Sequence, residues 1–185
     1  MKPWTDLHHT TASPDLTRAM VTTSDFCCIV DHALSEREAG LGSLPARLGL
    51  DGPQIAALRD RWLPQATLPD LDLPAPQMSP DQQAIATLIL WRGRAATSEA
   101  RWLAAILARR AMQPRHLWED LGLPNRAALS ALIALHVPDL ARMNPHNMRW
   151  KKFFYRQICS DAAFALCLSP SCDACDERAA CFAPE

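Results

Sequence analysis

The spacing of the cysteines limits what this chain can be more than any other feature. Five of the seven lie after Lys152, and four of these form the run Cys167, Cys172, Cys175 and Cys181, a C-x4-C-x2-C-x5-C pattern. Thiolates are soft ligands that select zinc, copper(I) or iron–sulfur clusters. Within one short segment they let a single loop supply a full ligand set. Pro170 breaks any helix there and has no N–H to give. Ser169, Ser171, Asp173 and Asp176 can turn back on their own backbone. Such a loop leaves backbone N–H groups that can point at cluster sulfurs and tune their potential.

The first three cysteines reproduce the C-x4-C-x2-C run of plant-type ferredoxins, which hold an iron–sulfur cluster through four thiolates. Three other readings compete. Structural zinc sites usually pair two C-x2-C knuckles across a longer gap, and here there is one such knuckle. Two disulfides would need an oxidising compartment. Free thiols are the remaining reading. The start of the chain shows no apolar core of a secretory signal. The longest apolar run, 84–91, is too short to span a bilayer. The expected compartment is cytoplasmic, where thiols stay reduced and cysteine clusters read as metal-binding or catalytic.

The segment before the motif narrows the reading. Asn147-Met148-Arg149-Trp150-Lys151-Lys152-Phe153-Phe154-Tyr155-Arg156, followed by the four cysteines and Phe182, resembles the C-terminal signature of the NifQ family. Upstream, Arg109-Arg110, Met112 and His116-Leu117-Trp118-Glu119-Asp120-Leu121-Gly122-Leu123 resemble it too, as does Asn125-Arg126. The resemblance covers about 88–181 and, more loosely, reaches back to Phe26. It implies a helical molybdenum–iron–sulfur protein that supplies molybdenum for the iron–molybdenum cofactor of nitrogenase. It also implies partners: a molybdate or other molybdenum source, the nitrogenase cofactor-assembly scaffold and the nitrogenase iron protein. Cys167, Cys172, Cys175 and Cys181 match the family's motif without departure.

The expected fold is all-α, a single helical domain carrying the cysteine loop. A chain of 185 residues, 49% of them apolar, can bury a core as one domain. Residues 1–23 lack a sustained period and are expected to form a mobile arm. The helical domain is expected over 24–166, with the cysteine loop at 167–185. Ser24 reads as an N-cap, Phe26, Ile29, Val30, Ala33 and Leu34 as a helix face, and Gly40 as its C-cap. Cys27 and Cys28 fall inside this helix and read as small, buried thiols. Leu44 to Pro64 predicts two short helices around Leu48-Gly49-Leu50, with Ile55, Leu58 and Trp62 facing the core. Leu117 to Pro138 repeats the pattern around Leu121-Gly122-Leu123, with Ala128, Ala131, Leu132 and Leu135 facing inward. Five prolines in 64–80 exclude a helix and predict an extended surface connection. Ser79-Pro80-Asp81 then starts a helix whose 84–91 run is apolar nearly all round, so burial is expected. Thr97-Ser98 starts another, with Trp102, Leu103, Ile106 and Leu107 inward and Arg101, Arg109 and Arg110 outward. Asn144-Pro145 reads as the start of the last helix, with Trp150, Phe153, Phe154 and Ile158 on one face.

Molybdenum in a sulfide cluster favours more ligands than one cysteine supplies, so extra donors are expected. Cys159 and His146 are the possible extra ligands, although Cys159 reads first as a buried helix cysteine; His116 and His136 lie on apolar stretches and read first as core histidines. His8-His9 reads as a bystander pair. Arg149, Lys152 and Arg156 form a basic stripe suited to an anionic cluster, to molybdate or to an acidic partner. No nucleophile, paired carboxylate or phosphate loop is visible, so the expectation is a metal carrier and not an enzyme. Formal net charge of −1 gives no bulk reason to expect nucleic acid or membrane as a partner. The alternative function is a DNA-binding regulator with an iron–sulfur or zinc loop, since the two Leu-Gly-Leu corners resemble a helix-turn-helix. An iron–sulfur electron carrier is the other.

Overall fold

Local capping chemistry sets most of the helix boundaries. The computed structural model describes residues 14–162, with side-chain environments for 25–158. Among the described residues all regular structure is helical: α1 (Pro14–Glu38), α2 (Leu44–Leu48), α3 (Gly52–Trp62), α4 (Pro80–Arg92), α5 (Ser98–Ala111), α6 (Leu117–Asp120), α7 (Arg126–His136), α8 (Pro138–Arg142) and α9 (Trp150–Ala162). Ser79 and Gln82 cap α4 reciprocally: Gln82 N–H donates to Ser79 Oγ at 3.3 Å and Ser79 N–H to Gln82 Oε1 at 2.8 Å. Asp51 and Gln54 do the same for α3. Thr97 accepts from Ala100 N–H at the head of α5. At the end of α1, Gly40 takes φ +75°, Leu41 N–H reaches Glu36 O, and Gly40 N–H bonds Arg37 O.

The two Leu-Gly-Leu corners share one backbone solution. Gly49 and Gly122 both have φ +70°. In each, a neighbouring helix fills the place a Cβ would take. A Cβ on Gly49 would lie 2.9 Å from Arg109 Cβ, and one on Gly122 would lie 2.4 Å from His32 Cβ. The corners therefore let α2 close onto α5 and α6 close onto α1.

α5 is the central element, with Leu103, Ala104, Ile106 and Leu107 fully buried. It packs on α4, α2, α6, α3 and α7. Its arginines depart from expectation: Arg101 is exposed, Arg109 is half-buried, and Arg110 is completely buried. The cause is Glu36 on α1. Its Oε2 accepts from Arg110 Nη1 at 2.6 Å and from Arg47 Nε at 2.9 Å, while its Oε1 pairs with Arg47 Nη2. Burial pushes the Glu36 carboxyl up, but the hydrogen bonds from Arg47 and Arg110 outweigh it and hold the carboxyl below its ordinary range. One carboxylate thus ties α1, α2 and α5 together. Arg109 instead donates to Ala46 O at 2.7 Å, a second link from α5 to α2.

Four other expectations are corrected. α1 begins at Pro14, so Ser24 is interior to a helix and not its cap; Pro14-Asp15 is itself a proline-first, acid-first start. α4 is not buried all round, because Leu90 and Trp91 face solvent while Ile85, Leu88 and Ile89 pack inward. α7 buries Leu129, Leu132 and Ile133, and Ala131 is exposed; the larger side chains win the core-facing stripe. The last helix begins at Trp150 and not at Asn144-Pro145. Asn144 spends its side chain on a loop: its Oδ1 accepts from Met148 N–H and its Nδ2 donates to Met148 O, both at 2.8 Å. Asn147 completes the turn at φ +50°.

The proline-rich 64–80 connection is extended as expected and is fastened at Asp70. Arg37 Nε and Nη2 donate to its carboxylate at 2.6 and 2.9 Å, and Leu44 N–H at 3.0 Å. Arg37 first, then Leu44 N–H, lower the Asp70 pKa to about 2.

Three outcomes test contacts of this kind. Glu36→Ala leaves Arg110 buried without its partner and should lower unfolding free energy by about 3–5 kcal/mol in urea titration. Breaking the exposed Arg61–Glu99 pair by Arg61→Ala should cost under about 1 kcal/mol. Because the folded pKa of Asp70 lies below its unfolded value, its contribution is complete above about pH 4 and fades as pH falls toward 2. Asp70→Asn should therefore reduce stability at neutral pH and flatten its loss between pH 4 and 2, followed by thermal melts across that range.

Candidate metal segment and the cationic cleft beside α9

α9 carries the chain toward the cysteine segment. Its inner face is aromatic: Trp150, Phe153 and Phe154 are 5%, 2% and 0% exposed. Their rings meet at 5.4–6.1 Å between centroids. Each such side chain contributes roughly 1.5–3 kcal/mol by burial. The face rests on α4, and Trp150 Nε1 donates to Ser130 Oγ on α7 at 2.9 Å. Ile158 lies half-buried farther along the same face. The Trp-Lys-Lys-Phe-Phe signature is thus a docking strip for the helix that precedes the cysteines.

Lys151 pins the head of α9 from the other side. Its ammonium donates to Gln113 O, to Arg115 O and to Asp120 Oδ2, the last at 2.7 Å. Asp120 is 3% exposed and also faces Arg115 Nε at 3.4 Å. An ammonium with three acceptors is fully satisfied, so this lysine is a fastener between α9 and α6.

Beside this fastener is a cleft of about 180 Å³ between the head of α9, α6 and α7. Arg115, Arg126, Arg149, Lys151, Lys152 and His116 supply its polar lining. Trp118 and Trp150 are among its apolar walls. Among the described residues no carboxylate is part of that lining. Arg126 Nη2 donates to Asn147 O, which orders the turn ahead of α9. The Nε atoms of Arg126 and Arg149 are buried without a hydrogen-bond partner among the described residues.

The structure resolves some sequence candidates and leaves others aside. Cys167, Cys172, Cys175 and Cys181 lie outside the described residues, as does the side chain of Cys159, which falls within α9. Among the described residues no group of three or more histidine, cysteine or acidic side chains could hold a metal ion. His146 is exposed in the turn, four positions ahead of α9. His116 is no core residue: it is exposed and its N–H donates to Glu119 Oε2 at 3.0 Å. His136 packs edge-on against Phe26 at 5.7 Å. Cys27 and Cys28 are half-buried free thiols on successive positions of α1; burial first, then Asp31 and Cys28, push the Cys27 thiol up. Of the basic stripe, Arg149 and Lys152 line the cleft, while Arg156 is exposed outside it. Sequence reasoning missed Arg115, Arg126 and Lys151. For Arg126 and Lys151 the available signal was the Asn125-Arg126 and Trp150-Lys151-Lys152 blocks of the resemblance, read above only as motif.

Lys151→Met should detach α9 from α6. The expected loss is about 2–4 kcal/mol, since Asp120 stays buried with its charge poorly matched. Hydrogen exchange should show faster opening of amides at 117–121, with those of α5 unchanged.

Comparison with known proteins places this architecture. The NifQ family model matches residues 26–183. The Rhodobacter capsulatus protein NifQ is 71% identical over 157 residues, covering 85% of this chain and 87% of that protein. The Sinorhizobium fredii NifQ homolog is 38% identical, covering 85% and 70%. The Azotobacter vinelandii protein NifQ is 36% identical, covering 84% and 87%. No solved structure is matched. The family model runs from α1 past the cysteine run and the relatives cover most of the chain, and the chain therefore belongs to the NifQ family of nitrogen-fixation proteins.

Proposed function

We propose that this protein is a molybdenum–iron–sulfur carrier that supplies molybdenum for the nitrogenase iron–molybdenum cofactor. The observation that carries the reading is the C-x4-C-x2-C-x5-C run within a chain of this family. Four thiolates suit a sulfide cluster of several metals, one protein sulfur to each metal. Molybdenum there is cargo. A site that holds it through one cysteine and exchangeable donors can release it, which a donor needs. The acceptors proposed are the cofactor-assembly scaffold and the nitrogenase iron protein, and the compartment proposed is the cytoplasm. The role is carriage and not turnover.

The residues of the chain divide the work. Cys167, Cys172, Cys175 and Cys181 would hold the cluster. Trp150, Phe153 and Phe154 fix the helix that leads to it, and Lys151 locks the head of that helix. The regulator reading gains no support from its own cations. Arg59 pairs with Asp60, and Arg61 lies over Trp62 and faces Glu99. Phosphate binding would compete with each of these contacts.

Protein purified without oxygen from molybdate-fed cells should contain molybdenum, iron and acid-labile sulfide together. Cys172→Ala should lose most of all three. Zinc at one per chain with no recoverable sulfide would overturn the reading. Iron and sulfide that cycle by one electron and never carry molybdenum would replace it with an electron carrier.

A further inference from the structure

We propose that the cleft at the head of α9 is a binding site for a small tetrahedral oxoanion, and that in this protein the anion is molybdate. The choice of molybdate among oxoanions rests on the donor reading; the site itself does not.

Charge is the first argument. The whole chain carries 19 basic and 20 acidic residues, so a wall with five cations and, among the described residues, no carboxylate is a local segregation. Three elements distant in sequence contribute to it: Arg115 ahead of α6, Arg126 on α7, and Arg149, Lys151 and Lys152 at α9. A solvated helix face would draw its charges from one element. Asp120 lies beneath the wall and is shared by Lys151 and Arg115, so one carboxylate answers two cations. Glu119 is the other nearby acid, turned to His116 N–H.

Chemistry and size are the second. Guanidinium groups present planar forks that match oxygen pairs on a tetrahedral anion. Arg126 and Arg149 each keep a buried Nε without an acceptor among the described residues, an arrangement that costs free energy until an acceptor arrives. The space is about 180 Å³, roughly six water volumes. That accommodates an anion with four oxygens and part of its hydration shell. It falls below the usual 300–1,000 Å³ of organic-ligand pockets. The head of α9, a helix of 13 residues, adds its positive end to the same space.

The test is equilibrium binding of molybdate, and separately of sulfate, to the full anaerobically purified chain at fixed ionic strength. Wild type, Arg149→Gln, Lys152→Gln and Cys172→Ala are compared, with iron, sulfide and molybdenum measured on each. Lys152 is exposed, so its variant remains informative should Arg149→Gln fold poorly. Molybdate binding that falls roughly tenfold or more in each cleft variant, with iron and sulfide unchanged, is the expected result. Binding unaffected by both cleft variants, or no binding of either anion, overturns the site. Sulfate bound as tightly as molybdate overturns the assignment to molybdate. Binding lost only in Cys172→Ala places the anion at the cysteines, which overturns the cleft and spares the donor reading. Cleft binding intact with no molybdenum ever retained with iron and sulfide sinks the donor reading and spares the site.

Discussion

The Glu36 carboxylate holds the helical body in register. It accepts from Arg47 on α2 and Arg110 on α5 while standing on α1. A buried ion pair is a poor source of net stability, because desolvation cancels most of its attraction. Its value is in what it forbids. Arg110 is 0% exposed, and its Nε and Nη2 find no hydrogen-bond partner among the described residues. Any packing that moves α5 away from Glu36 leaves that guanidinium unmatched in the core. The observed arrangement of the three helices avoids this, and the left-handed glycines at 49 and 122 permit close approaches of α2 to α5 and of α6 to α1.

From that body the order passes to α9. Arg110 also feels the charge of Asp120, which anchors Lys151. Apolar burial of Trp150, Phe153 and Phe154 supplies the adhesion, and the Lys151 contacts supply the direction. The same head of α9 gathers Arg149 and Lys152 to Arg115, ahead of α6, and Arg126 of α7. The helix that precedes the cysteine segment in sequence is thus fixed at its head.

What could be read in the sequence was local chemistry. Asp51, Ser79 and Thr97 cap helices because a short polar side chain needs no partner beyond its own turn. Trp150, Phe153 and Phe154 share a face because helical period alone decides it. What could not be read depended on distant partners. Arg110 looks like a surface residue until Glu36, 74 positions away, is placed beside it. Asn144-Pro145 has the letters of a helix start, but its side chain closes a loop on Met148 instead. The cationic cleft was half visible, through Arg149 and Lys152, and half hidden, because Arg115 and Arg126 join it only in three dimensions. The four cysteines, the strongest signal in the chain, rest on their spacing and on family membership.

The central claim is delivery, and delivery is measured by following the metal. The protein would be isolated from cells fed radioactive molybdate, freed of unbound anion, and mixed with cofactor-less nitrogenase and the assembly components, with no other molybdenum present. The account predicts that label moves into the nitrogenase protein and that activity appears with it. Label that stays on the chain, or nitrogenase that is loaded equally well by protein carrying Cys172→Ala, would contradict it.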